Sequence, residues 1–597
     1  MADRHVDEWA RLNPIGATFV GIGGHDDQLG DFSPDGFAAQ AELTRRTLAD
    51  LAATEPDSEA ERTAKEAMQE RLGLELARYD AGETASELNV IASGLHELRQ
   101  VFDLMPTEGA EAVGNIAARL GQFAGALDGY KTTLRTAAGA GHVSSRAQIV
   151  EVAKQCDVWT DPDGDNFFHT LVEQLSADPA LAAELRRGAA AATAATAEFG
   201  HFLRDELAPL GRAKQAAGRE RYELASQYFL GARVDLEETY AWGFEELARL
   251  EAEMRAVAAE IAGPGADIEA AVTALDADPA RQIHGKEAFR DWMQALADKA
   301  IAELHGTHFD IPEQVRRIEC CLAPTSDGGI YYTGPSEDFA RPGRMWWAVP
   351  QGITEFSTWR EVTTVFHEGV PGHHLQVAQT QVRADLLNRW QRLLCWTSGH
   401  GEGWALYSER LMDDLGYLAD PGDKLGMLDG QAFRAARVVV DIGMHLELEI
   451  PGTTRSASVR VSGGPRAGLG VHAGALPGAG REPALRAEPL SWLAGAGTVV
   501  QGRRTDLVAG PGGREGSQGR RLRPQGIPPE RTQPGLDRPG PAPRRTDQNL
   551  NTVAPASVRT AVHRLTPSPE TAGAESTRAC PPTRRAVGPC VAGRGSA

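Results

Sequence analysis

The 597-residue chain is short of several things. It has six cysteines, two of them adjacent at Cys320 and Cys321, and no C-x-x-C, so neither a disulfide framework nor a cysteine zinc site is expected. They read as buried or incidental thiols. No stretch reaches the roughly 18 uninterrupted apolar residues of a membrane-spanning helix. The opening Met1-Ala-Asp-Arg-His-Val-Asp-Glu8 lacks the basic start and apolar run of a secretory leader. These absences predict a cytoplasmic protein with no membrane partner. Positive charge is also scarce: 61 Lys and Arg against 82 Asp and Glu leave a net −21, which argues against nucleic acid as a partner.

What is present is enough apolar sequence, 42%, to bury a core and to form two or more packed units. The composition breaks near residue 450. Residues 451–597 hold 21 Arg, no Lys, 9 acids, 23 Gly and 19 Pro, with no Phe or Tyr; they carry +12 and leave −33 for residues 1–450. So little apolar sequence cannot offset the conformational entropy lost on folding, and a disordered tail is expected.

From about residue 36 to 305 apolar residues recur at three and four spacing, as in Phe244-Glu-Glu-Leu-Ala-Arg-Leu-Glu-Ala-Glu-Met254, which predicts a long helical array. Ser33-Pro34-Asp35, Asp178-Pro179 and Asp278-Pro279 read as helix entries, a capping side chain followed by Pro in the first turn. Between about 316 and 350, Gly328-Gly-Ile-Tyr-Tyr332 and Arg344-Met-Trp-Trp-Ala-Val349 read as two short strands. Helical pattern resumes at Ser357. The predicted organisation is a helical region 1–310, a catalytic region 311–450 and the tail 451–597.

Chemistry concentrates in Thr364-Val-Phe-His367-Glu368-Gly-Val-Pro371-Gly372-His373-His374-Leu-Gln376. In the zinc-peptidase pattern H-E-x-x-H, two histidines four residues apart point within roughly 40° of each other and reach one metal, while the Glu activates water. Here the fifth position is Pro371. On an undistorted helix His373 would point roughly 120° away from His367, and His374 would return to the same face but roughly 10.5 Å along the axis. Pro371 has no N–H for the His367 carbonyl, and Gly372 tolerates the dihedrals that follow, so a bulged turn absorbing two residues would bring His373 to the second-ligand position.

Open catalytic zinc sites often draw a third ligand, a carboxylate, from a second helix. Glu402 in His400-Gly-Glu402-Gly-Trp-Ala-Leu-Tyr407-Ser-Glu409 fits, with a helix cap or a buried carboxylate as the plainer reading. Glu409, seven residues on and on the same face, is placed to orient a ligand. His374 reads as a supporting or packing residue, or as a substitute for His373. Tyr407, with Trp404 and Leu406 at helical spacing, would serve equally as core. Arg434, Arg437, Asp441 and His445 share one helical face, where a His and an Arg could stabilise an oxyanion or form a solvated surface.

Together, H-E-x-x-P-G-H-x-x-Q, Glu402-Gly-Trp-Ala-Leu-Tyr-Ser-Glu409 and Arg434-Ala-Ala-Arg-Val-Val-Val-Asp-Ile-Gly-Met-His445 resemble the bacterial family named domain of unknown function 885. Tyr331-Tyr-Thr-Gly-Pro-Ser-Glu-Asp-Phe-Ala-Arg341-Pro-Gly343 is similar to that family too, and the likeness runs from about residue 10 to 450. The family is grouped by similarity with the zinc peptidases. The resemblance implies one zinc ion on His367, His373 and Glu402, with Glu368 as general base. His445 is expected as a catalytic donor, and His374, Glu409, Tyr407, Arg437, Tyr332 and Arg341 as supporting or substrate-facing residues. It also implies the edge strand around Met345–Val349 as a bed for an extended peptide-like substrate.

The expected fold is mainly α, a large helical array around a zincin-like metal site with a small edge β-sheet, followed by the disordered tail. The expected function is a zinc-dependent, metallopeptidase-like hydrolase cleaving an amide in short peptides or amino-acid conjugates. The alternatives are a metal-dependent hydrolase or lyase of a non-peptide metabolite, and a non-catalytic helical scaffold or inactive remnant. The tail carries one further expectation. Reading each residue's second and third bases with the first base of the next permits a YLGWPGQAPSYK-containing string over 486–503, similar to this family's carboxy-terminal helices. A one-nucleotide slip between about 450 and 480 is therefore expected, against a genuine Arg/Pro/Gly-rich tail.

Overall fold

The computed structural model describes residues 1–451 apart from 163, 165, 325–328 and 351, together with the backbone of 458–462 and 470–474. The expected disorder of the tail and the expected frame slip lie outside the described residues.

Helices dominate. The chain opens with α1 (Ala2–Leu12), α2 (Pro14–Val20), α3 (Pro34–Ala52) and α4 (Glu59–Asp80). It continues through α5 (Gly94–Leu104), α6 (Ala110–Gly139), α7 (Arg146–Trp159), α8 (Phe167–Glu173) and α9 (Pro179–Phe202). Ser33 and Asp178 cap α3 and α9 with their side chains, each followed by Pro, as their spacing predicts. One core joins α5 to α9 through Leu98, Ile116, Phe123, Ile149 and Phe168, all fully buried. Phe123 and Phe168 meet edge to face with centroids 5.0 Å apart. Cys156 in this core is a buried free thiol pushed up to about 12 by burial.

The next helices are α10 (Arg219–Leu230), α11 (Leu236–Ala262) and α12 (Ile268–Ala277). Asp278-Pro279, read as a helix entry, starts only one 3-10 turn, because the chain straightens at Gln282 into β1 (Gln282–His284) before α13 (Lys286–Leu304). The strands β2 (Ile318–Leu322), β3 (Ile330–Thr333), β4 (Gly343–Trp347) and β5 (Glu355–Ser357) follow. β5 pairs with β1, and the other three form a sheet in the order β2-β4-β3. β4 runs parallel to β2, Cys320 opposite Met345, and antiparallel to β3, Tyr332 opposite Met345. The strand expected at the edge, Met345 to Val349, therefore begins in the middle of the sheet. The cause is β2, Ile318-Glu-Cys-Cys-Leu322, which occupies the flank of β4 that a peptide would need. Among the described residues the open flanks belong to β2 and β3.

Five helices follow: α14 (Thr358–Glu368), α15 (His373–Val382), α16 (Arg389–Leu393), α17 (Ser398–Asp414) and α18 (Pro421–Leu446). A second core joins them to α11, α13 and the sheet through Leu250, Met293, Met345, Trp359, Met412 and Leu428. α14 and α18 touch backbone to backbone: a Cβ on Gly426 would sit 2.0 Å from the Trp359 carbonyl oxygen. Only glycine permits this crossing. Gly426→Ala is expected to force the two helices apart and cost about 1–3 kcal/mol, the usual scale of overpacking, measured as a lowered urea midpoint with an unchanged slope.

Candidate metal centre

The site begins where α14 ends. The amide of Gly369 still reaches Val365 O at 2.9 Å, but Gly372 N–H donates to Phe366 O at 3.1 Å and His374 N–H to Gly369 O at 3.0 Å. The ladder of one helix is thus replaced by longer closures, and α15 starts afresh at His373. The bulged turn expected within one helix is instead a full break. Pro371 supplies no donor, and a Cβ on Gly372 would lie 1.9 Å from His367 O and 2.5 Å from Phe366 O. The Trp404 indole N–H donates to Pro371 O at 2.8 Å and ties the break to α17.

The break brings His367 and His373 together, ring centroids 4.8 Å apart and planes at 89°. Glu402 reaches them from α17. Its Oε2 lies 3.4 Å from His367 Nε2 and its Oε1 lies 3.6 Å from His373 Nε2. One ligand atom from each of the three residues falls within 4.8 Å of the others. Zinc bonds of roughly 2.0–2.1 Å at tetrahedral angles set neighbouring ligand atoms about 3.4 Å apart, near the two Glu402–histidine separations, so a donor set of two imidazoles and a carboxylate suits zinc.

Behind the cluster stands fully buried Glu409, whose Oε1 accepts from His367 Nδ1–H at 2.7 Å. That bond fixes the tautomer and turns Nε2 toward Glu402. Arg434 on α18 lies 3.3 Å from both Glu409 Oε1 and His367 Nδ1. Burial alone would raise Glu409, yet Arg434 and His367 hold it below the usual carboxylate range. For His367, burial and Arg434 pull downward and the two carboxylates outweigh them, to about 9; burial and the His367 charge push His373 down to about 4. Glu368, also buried, is raised to about 7 chiefly by burial.

The other expected residues are placed unequally. His374 is spent: Nε2–H donates to Val315 O at 2.8 Å, so Nδ1 accepts from the Tyr332 hydroxyl at 2.8 Å. Its role is to hold Tyr332, whose ring lies over His373 at 6.4 Å. Arg341 donates to the carbonyls of Thr18, Phe19 and Gly334 and so clamps the 334–341 loop to α2. Tyr407 is half-exposed beside Trp404. Arg437 lies one turn beyond Arg434, within electrostatic reach of Glu402 and Asp441.

His445 is not brought to the cluster. It lies eleven residues beyond Arg434, roughly 16 Å along α18, where its Nδ1 accepts from Ala217 N–H at 3.0 Å and its ring stacks on Tyr222. Helical spacing put it on the right face but could not say how far along α18 the cluster lies. Arg434, named in the sequence only as one member of that face, is the residue on it that meets Glu409. Its signal was the same periodicity; the choice between Arg434 and Arg437 is made by where α14 crosses α18 at Gly426.

The fold and these residues define a mainly helical protein with a two-histidine, one-glutamate cluster suited to a metal. The chain belongs to the family described as bacterial protein of unknown function (DUF885), which matches residues 14–462. Two solved structures are similar to it. One, of a candidate lipoprotein from Colwellia psychrerythraea, is 20% identical with a TM-score of 0.64, covering 75% of this chain and 83% of that one. The other, of a candidate lipoprotein of unknown function from Shewanella oneidensis, is 16% identical with a TM-score of 0.51, covering 74% and 82%. No curated protein matches. These likenesses establish the fold. Among the described residues no helix is long and apolar enough to cross a membrane.

Removing the support of His367 should weaken the metal without unfolding the protein. Glu409→Gln is expected to lower zinc affinity by about 10- to 100-fold, measured by competition against a chelator, with an unchanged circular dichroism spectrum.

Proposed function

We propose that the protein is a zinc-dependent hydrolase that cleaves an amide bond in short peptides or amino-acid conjugates. The observation that carries this reading is the meeting of His367, His373 and Glu402, with one donor atom from each within 4.8 Å of the others, and a buried carboxylate, Glu368, next in sequence to His367. A zinc ion there would supply a Lewis acid for the amide carbonyl and acidify a water.

The chain's own groups do the rest. Glu368 accepts the proton of the attacking water at its carboxylate; the hydroxyl oxygen adds to the carbonyl carbon, the C–N bond breaks, and Glu368 returns the proton to the leaving nitrogen. Glu409, held ionised by Arg434, keeps His367 oriented. Tyr332, locked by His374, lies over His373 and supports that wall of the site. β3, which carries Tyr332, has an open flank along which an extended substrate would lie. His445 has no part in this sequence of steps.

We also infer that a one-nucleotide slip between about 450 and 480 puts the tail in a shifted frame, a reading supported by the family match ending at 462 and by the Arg/Gly/Pro-rich composition beyond. Sequencing the source DNA across codons 440 to 500 tests it, and an unbroken frame contradicts it.

With a dipeptide library, Glu368→Gln is expected to retain one zinc per chain and lose turnover by at least about 100-fold, the lower end of what a general base contributes. Turnover that survives the substitution would overturn the mechanism.

A further inference from the structure

Trp396 lies in the link between α16 and α17, outside every motif that defines the ligands. Its six-membered ring rests on bare backbone: a Cβ on Gly401 would sit 2.2 Å from Cη2 and 2.4 Å from Cζ2. Gly401 immediately precedes the ligand Glu402, and the indole centroid is 6.2 Å from that of the ligand His373. The ring therefore lies beside the His373 side of the metal cluster, against the turn of α17 that carries Glu402. Nevertheless Trp396 remains 47% exposed. Isolated exposed apolar residues are ordinary. This one differs in being seated by a glycine against α17, one residue before Glu402, with its ring 6.2 Å from that of His373.

Trp presents a large rigid surface at little conformational cost, and recognition sites use such surfaces for apolar and aromatic groups. On the other flank of His373 the Tyr332 ring lies 6.4 Å away.

We infer that Trp396 is the wall of a subsite that takes an aromatic or large apolar side chain on the substrate residue flanking the cleaved amide. The inference rests on the amide-hydrolase reading and names its substrate class. Gly401 is part of the same device, because any side chain there would lift the indole off the helix.

The test compares glycine hydroxamate with phenylalanine hydroxamate, two zinc-binding probes differing only in the benzyl group, on the zinc-loaded full chain by calorimetry. In parallel, Gly-, Leu- and Phe-containing dipeptides are assayed for turnover. The parent is expected to bind the phenylalanine probe about ten-fold tighter, the scale of burying one aromatic side chain. Trp396→Ala should abolish that preference while zinc content and glycine-probe affinity stay unchanged, and Trp396→Phe should restore most of it.

A preference that survives Trp396→Ala, equal binding of the two probes by the parent, no binding of either, or equal weakening of both together with zinc loss would overturn the inference. Equal weakening with zinc loss would leave Trp396 merely a support for His373. An intact phenyl preference with no amide cleaved would count against the hydrolase reading alone. Turnover indifferent to the flanking side chain would count against the subsite alone.

Discussion

Between Glu368 and His373 the backbone abandons the i to i−4 ladder and closes on longer loops, with Gly372 N–H bonded to Phe366 O and His374 N–H to Gly369 O. Two atoms of close approach make that turn possible. The Gly372 α-carbon passes so near the carbonyls of Phe366 and His367 that a methyl group could not stand there. Pro371 contributes by lacking a donor where the old ladder would need one. Without the break, His367 and His373 point away from each other; with it, their rings stand 4.8 Å apart. The rest of the centre is built around this turn, including the indole of Trp404 that ties it to the helix bearing Glu402.

A second constraint is electrostatic. Two histidines, the three carboxyl groups of Glu368, Glu402 and Glu409, and the guanidinium of Arg434 must coexist largely out of water, where unpaired charge is expensive. Arg434 neutralises Glu409, Glu409 orients His367, and the remaining partner of both histidines is Glu402, the most exposed of the cluster. Burying Glu409 fully is tolerable because both His367 and Arg434 meet its Oε1. The arrangement presents two imidazole nitrogens and a carboxylate to a common point. A cation there would be within reach of all three donors.

Much of this was legible in the sequence, for identifiable reasons. Helical periodicity and the Ser33-Pro34 and Asp178-Pro179 caps gave the helices, because local propensity and burial agree there. The cluster of His367 and His373 was legible because Pro-Gly between two histidines breaks a local rule, and such violations cluster at functional sites. Sheet order was not legible: β2 contains Glu319 and two cysteines in five residues, a weak strand signal, and its parallel pairing with β4 is non-local. The position of His445 was lost for a similar reason. Periodicity assigns a face of α18, but distance along it depends on the crossing at Gly426, which only the packed structure fixes. His374 was misleading in the opposite way, since its identity suits a ligand and its two ring nitrogens are already committed to Val315 and Tyr332.

The claim on which the account turns is that one cation is held by two imidazoles and a carboxylate. Zinc-edge X-ray absorption on the purified, zinc-loaded chain tests it directly. The account predicts a four-coordinate shell of nitrogen and oxygen donors at roughly 2.0–2.1 Å, with the outer-shell scattering of two imidazole rings. A shell with sulfur, a shell of oxygen alone, or a spectrum unchanged when His373 is replaced by alanine would contradict it.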